Sequence, residues 1–217
     1  MTRIVNNCVA LVCLCLFWGQ SLRAADASHS EQIKWGNESV FNEEHNTLGL
    51  FSGVLGGQIV LAGGTSDDYS RWGRNAVCLS ENAGFALYED VLSKPLAYGA
   101  SITLSDGILC IGGRDSSQCY EDVFFVTMQQ GKLNVSEDWP PLPFPLSNAA
   151  GALLDNKVYL FGGRKSVSPS RLSDSFFVLD LSNKSRGWKE LPGYPGCVRE
   201  DAIPVSYTHL RAHETSQ

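Results

Sequence analysis

Three arginines stand where this sequence could grip an anion: Arg114, Arg164 and Arg199. Arg114 and Arg164 each follow a Gly-Gly pair directly, and each leads into a second charged residue, Asp115 or Lys165. A guanidinium offers a planar fork of N–H donors that holds a carboxylate through two parallel bonds. Asp67 and Arg74 occupy the polar loop after the first Gly-Gly pair. Tyr98, Asn148 and Arg199 sit where apolar runs begin, so they complete a set of candidate ligand-binding residues. The competing reading is structural, because an arginine can equally bond loop carbonyls between neighbouring units.

The elements that must position these residues are marked by the glycines. Gly63-Gly64 closes QIVLAGG, Gly112-Gly113 closes ILCIGG and Gly162-Gly163 closes KVYLFGG, at successive spacings of 49 and 50 residues. An apolar strand ending in a diglycine once every ~50 residues is the signature of a kelch-type propeller blade. All six glycines are assigned a structural role, since glycine allows a bend or close backbone approach that a Cβ would obstruct. Each repeat ends on an aromatic and a proline turn: Tyr88 with Lys94-Pro95, Trp139 with Leu142-Pro143, and Trp188 with Leu191-Pro192. Trp139 and Trp188 are expected to pack between blades, where their large apolar faces are best buried.

The fold class is therefore all-β, a kelch-type β-propeller of which three blades are present. The blades are placed at residues 48–95, 96–145 and 146–195, and the start of a fourth carries the propeller region to residue 204. Expected strands include LGLFSGVL, QIVLAGG, NAVCLS and FALYED in the first repeat and NAAGALL, KVYLFGG, DSFFVLDL and GWKEL in the third. In the second they are GASITL, ILCIGG, DVFFVTM and the segment leading to Trp139. Closed propellers hold roughly four to eight blades, so further repeats are expected after Pro204.

The two ends read differently. Residues 1–24 have a basic Arg3, the short apolar core CVALVCLCLFW and small residues at Ala24 and Ala25, as a secretory signal does. Export to a periplasm or the extracellular space follows as an expectation, with no membrane association once the signal is removed. Residues 25–47 form a polar leader in which Ile33-Lys34-Trp35 is a candidate ring-closing strand. Residues 205–217 contain VSYTHLRAHET, which reads as a translated transposase-type sequencing adapter, and are set aside as an assembly artefact.

Charge and cysteine usage narrow the partners. The net charge is −6, and discounting both ends leaves 14 basic against 22 acidic residues, which argues against nucleic acid. Cys78, Cys110, Cys119 and Cys197 lack paired CxxC spacing, so no metal site is assigned. Cys78 and Cys110 are read as small core residues, with a Cys110–Cys119 disulfide left open. The sequence does not define an oligomeric state.

Beyond the diglycines, the stretches SGVLGGQIVLAGG, PLAYGASITLSDGILCIGG, DVFFVTMQQGKL, PPLPFPLSNAAGALLDNKVYLFGG and FFVLDLSNKSRGWKELPGYPGCVREDA resemble the cyclically permuted mutarotase branch of the kelch propellers. These are relatives of bacterial N-acetylneuraminate epimerase. The resemblance implies an exported six-bladed propeller that interconverts the anomers of a small sugar acid without a cofactor. It also implies that the acidic base and its arginine partner lie in a later blade, so the catalytic residues are unknown. Arg199 within PGCVRED matches an arginine of the family pattern, whereas Leu96 stands where that pattern has an arginine before Ala-Tyr-Gly.

Two other functions compete. A non-catalytic kelch module would use the same loops to hold a glycan or a protein. A galactose-oxidase-like protein is disfavoured, because it needs paired His and Tyr copper ligands, and the only histidines outside the adapter, His29 and His45, precede the first blade.

Overall fold

In the computed structural model, residues 48–80, 84–193 and 200–202 are described. The expected signal peptide, closing strand and adapter, together with Cys197 and Arg199, lie outside the described residues. Three four-stranded antiparallel sheets account for nearly all the regular structure. The first comprises β1 (Phe51–Leu55), β2 (Gln58–Ala62), β3 (Ala76–Ser80) and β4 (Gly84–Tyr88), in that spatial order. The second comprises β5 (Ala100–Thr103), β6 (Ile108–Ile111), β7 (Val123–Gln129) and β8 (Lys132–Ser136).

The third sheet pairs β9 (Ala150–Leu154) with β10 (Lys157–Phe161), then β13 (Phe176–Asp180) and β14 (Lys189–Leu191). Its loop after the diglycine folds into a ribbon of β11 (Arg164–Ser166) and β12 (Arg171–Leu172), and a 3-10 turn over Leu181–Arg186 joins β13 to β14. Neither was expected. The ribbon lies within a mostly polar stretch with no apolar alternation, and the 3-10 turn is started by the Asp180 side chain, which accepts from the Ser182 N–H at 2.9 Å.

Each sheet is a blade because its inner strands are buried on both faces. Successive side chains of a strand point to opposite sides, and the second sheet divides its residues accordingly. Ile108, Cys110, Phe124 and Val126 pack toward the first sheet, against Phe51, Val60, Ala62, Cys78, Leu92 and Leu96. Leu109, Ile111, Val123 and Phe125 pack toward the third, against Val158, Leu160, Phe177 and Leu179. This two-sided burial explains why ILCI reads as an unbroken apolar run. Trp139 and Trp188 flank the same interface, with the Trp188 indole N–H donating to the Pro140 carbonyl at 3.0 Å.

The diglycines shape the inner end of each blade. Gly63, Gly112 and Gly162 hold φ of 71°, 63° and 68°, the left-handed region that favours glycine. A Cβ on Gly112 would collide with the Leu146 carbonyl, and one on Gly63 with the Leu96 carbonyl. Those carbonyls belong to the entry of the next blade, and each accepts from the second glycine of the pair: Gly64 N to Leu96 O at 2.8 Å and Gly113 N to Leu146 O at 2.8 Å. The diglycine therefore joins one blade to the next.

Candidate functional site

The same joint presents residues at the inner rim. Just past the Leu96 and Leu146 carbonyls, Tyr98 (φ 59°) and Asn148 (φ 55°) hold left-handed conformation, as do Gly49 (φ 65°) and Asp201 (φ 55°). Their backbones form a relay across the blades. Tyr98 N donates to Gly49 O at 2.7 Å, Asn148 N to Tyr98 O at 2.7 Å, and Asp201 N to Asn148 O at 3.0 Å. Tyr98 and Asn148 thus stand at equivalent rungs, as their places in the repeats suggested. The next rung belongs to Asp201, which the sequence reading passed over in favour of Arg199. The segment before it is three residues longer than the earlier 50-residue step from Tyr98 to Asn148.

Arg114 reaches this rim from the loop after the second diglycine. Its guanidinium carbon lies 4.7 Å from the ring centroid of Tyr98, 5.1 Å from that of Trp72 and 5.9 Å from that of Tyr69. Cations favour the electron-rich faces of aromatic rings, so the three rings hold the side chain between two blades. Tyr69 and Trp72 belong to the loop after the first diglycine and were not among the expected site residues. Their signal was two aromatics in an otherwise polar run, DDYSRW.

That loop is braced by Asp68. Its carboxylate accepts from Ser66 Oγ at 2.6 Å, from Ser70 N at 3.0 Å and from Ser70 Oγ at 2.8 Å, and these bonds hold its pKa down at about 2. The Trp72 indole then donates to the Tyr69 carbonyl at 3.1 Å. Asp67 is exposed on the same turn. The Tyr98 hydroxyl donates to the Tyr69 hydroxyl at 3.3 Å, and burial is the main reason its phenol stays protonated far above the ordinary tyrosine range.

Asp115 braces the second loop. Burial opposes its ionisation, but bonds from Tyr120 OH at 2.6 Å, Ser117 N at 2.6 Å, Ser117 Oγ at 2.7 Å and Gln118 N at 2.9 Å outweigh that and hold the pKa at about 2. Arg164 is engaged in another way. Its fork meets Glu200 through Nε at 2.9 Å and Nη2 at 2.8 Å, a bidentate pair whose hydrogen bonds raise the guanidinium pKa further. Arg74 pairs with Asp90, and Lys165 lies 4.1 Å from the Phe144 ring centroid. The structure therefore places Arg114 and Asn148 on either side of Tyr98, while Arg164 spends its fork on Glu200. Leu96 is a core residue at 2% exposure, so its side chain takes no part in the rim. Cys78, Cys110 and Cys119 are buried and free, and Cys119 Sγ lies 3.4 Å from Ser147 Oγ.

Sheets of four strands joined at left-handed diglycines define a kelch-type β-propeller, and comparison with known proteins agrees. The Kelch motif matches residues 145–192. The solved structure titled "Structure of YjhT" is similar to this chain with a TM-score of 0.59 at 11% identity, covering 71% of this chain and 58% of that one. The chain has the fold of a kelch-type propeller, and about a third of it is similar in sequence to N-acetylneuraminate epimerases. The epimerase of Vibrio cholerae is 31% identical over 83 residues, which is 38% of this chain and 20% of that protein. The epimerase of Yersinia pestis is 31% identical over 70 residues, 32% of this chain and 16% of its own length. A Kelch domain-containing protein of Vibrio cholerae is 33% identical over 63 residues, 29% of this chain and 16% of its own. The chain thus matches about a fifth or less of the length of these curated relatives.

Proposed function

We propose that this chain supplies part of the substrate-binding wall of an exported kelch-propeller mutarotase that interconverts the anomers of N-acetylneuraminate or a related sugar acid. The observation that carries the proposal is Arg114, a cation held at the inner rim by three aromatic rings of two blades, in a chain whose blades resemble those of N-acetylneuraminate epimerases. The reaction removes the proton of the anomeric hydroxyl while the ring oxygen is protonated. The ring C–O bond breaks to give the open-chain ketone, the carbonyl carbon turns, and closure on its other face reverses both transfers. Arg114 would help to hold the sugar during the turn. In this reading the acid and base lie in blades beyond these three.

A second reading, a binding module without chemistry, is favoured by one observation. Among the described residues, the carboxyl pKa values that shift clearly fall, to about 2 for Asp68 and Asp115, and the Tyr98 phenol rises. A general acid–base pair works best with pKa values near the operating pH. Exchange NMR of the anomeric signals of N-acetylneuraminate, with wild type and Arg114→Ala, separates the two. Exchange faster than in buffer that is lost in the variant supports the mutarotase. Line broadening without faster exchange supports the module, and no effect on the sugar overturns both. Fractionation of a host expressing the chain from Met1 tests export.

A further inference from the structure

Among the described residues, two buried polar side-chain atoms meet no hydrogen-bond partner: Nε of Arg114 and Oδ1 of Asn148. Burying such an atom without a partner is costly, so their occurrence at one rim calls for a ligand or for water. Both flank Tyr98. Arg114 lies over its ring at 4.7 Å, and Asn148 N bonds its carbonyl at 2.7 Å.

Their chemistry is opposite and fixed. Arginine Nε–H can only donate. The amide of Asn148 is oriented by Asp201, whose carboxylate oxygen lies 2.8 Å from Nδ2 and can only accept. Oδ1 is therefore committed as an acceptor. A carboxylate could meet Arg114 but would be repelled at Oδ1 and by Asp201. A single group that met both atoms would have to offer an acceptor to one and a donor to the other.

From this we infer that Arg114 and Asn148 form a subsite for the N-acyl amide of an amino sugar, the amide carbonyl accepting from Arg114 Nε–H and the amide N–H donating to Asn148 Oδ1. The inference rests on the sugar-acid reading above and refines it: the amide, not the carboxylate, is what this pair recognises. The left-handed backbone of Asn148 contributes by holding the amide at the rung, with Asp201 setting its orientation.

The test is a calorimetric titration of the full chain with three probes: N-acetylneuraminate, its analogue bearing a hydroxyl in place of the acetamido group, and N-acetylmannosamine, which keeps the acetamido group but lacks the carboxylate. Wild type should bind N-acetylneuraminate about tenfold more tightly than the hydroxyl analogue, the worth of one hydrogen bond. Asn148→Gly, which keeps the left-handed backbone without strain, should bring the two affinities within about twofold. Arg114→Lys, which keeps a cation near the rings but loses Nε, should do the same, with unchanged melting temperatures confirming the fold. Binding of both sugar acids without a preference, or a preference that survives Asn148→Gly, overturns the subsite and leaves the sugar-acid reading standing. Binding of N-acetylmannosamine alone, lost in Asn148→Gly, keeps the subsite and overturns the sugar-acid reading. No binding of any probe overturns both.

Discussion

Asn148 donates its backbone N–H to the carbonyl of Tyr98 at 2.7 Å, and both residues hold left-handed backbone. This bond links the inner ends of the second and third blades. It fixes the height at which the Tyr98 ring and the Asn148 amide stand at the rim, and Tyr98 in turn supplies the nearest of the three rings to Arg114. The rim is thus set by backbone conformation before any side chain is considered.

Asn148→Ala should therefore destabilise the chain more than Asn148→Gly, by about 1 kcal/mol, because alanine resists φ near +55° and glycine does not. Urea midpoints at a constant m-value measure the difference. Equal midpoints would mean that the rung relaxes without cost.

Gly112→Ala should be among the most damaging single substitutions, at about 3 kcal/mol or more, since it combines a left-handed backbone with a clash against the Leu146 carbonyl. Gly131→Ala, also left-handed (φ 74°) but with nothing within 4 Å of the new Cβ, should cost only about 1 kcal/mol. Denaturant unfolding of the two variants side by side tests the role given to the diglycine.

Asp115 ties part of the stability to pH. Its folded pKa of about 2 lies below the usual carboxylate value, so its contribution is fully present above about pH 4 and is lost as pH falls toward 2. Tyr120→Phe removes the 2.6 Å bond from the hydroxyl and should move the Asp115 pKa back up, read from the side-chain carboxyl carbon shift. An unmoved titration would show that the backbone donors of Ser117 and Gln118 suffice.

Trp188→Phe keeps the aromatic packing but deletes the indole donor to the Pro140 carbonyl. The expected loss is about 1 kcal/mol, that of one ordinary hydrogen bond, in thermal or urea unfolding. A loss several times larger would mean that the ring itself, not the bond, locks the second and third blades together.

Much of the scaffold was legible because it follows from local rules. A diglycine that must be left-handed, an apolar strand before it and a proline turn after the last strand recur every ~50 residues, and each can be read without knowing its neighbours. Tyr98 and Asn148 were legible as rim residues for the same reason. Arg164 and Arg114 read identically, each an arginine after a diglycine, yet Glu200 takes the fork of one while three aromatics hold the other. Asp201 was missed because the step before it is longer than 50 residues, so a fixed period points elsewhere.

The sequence alone determined the kind of blade, its repeat length and the glycines that join one blade to the next, because these depend on backbone sterics and side-chain alternation within a short window. Only the tertiary structure decided which polar groups face one another. Tyr69 and Trp72 come from one blade and Arg114 from the next, and Asn148 is oriented by a residue 53 positions away. Hydrogen bonds and cation–ring contacts depend on distance and direction in space, and residues so far apart in the chain acquire both only when the blades stack.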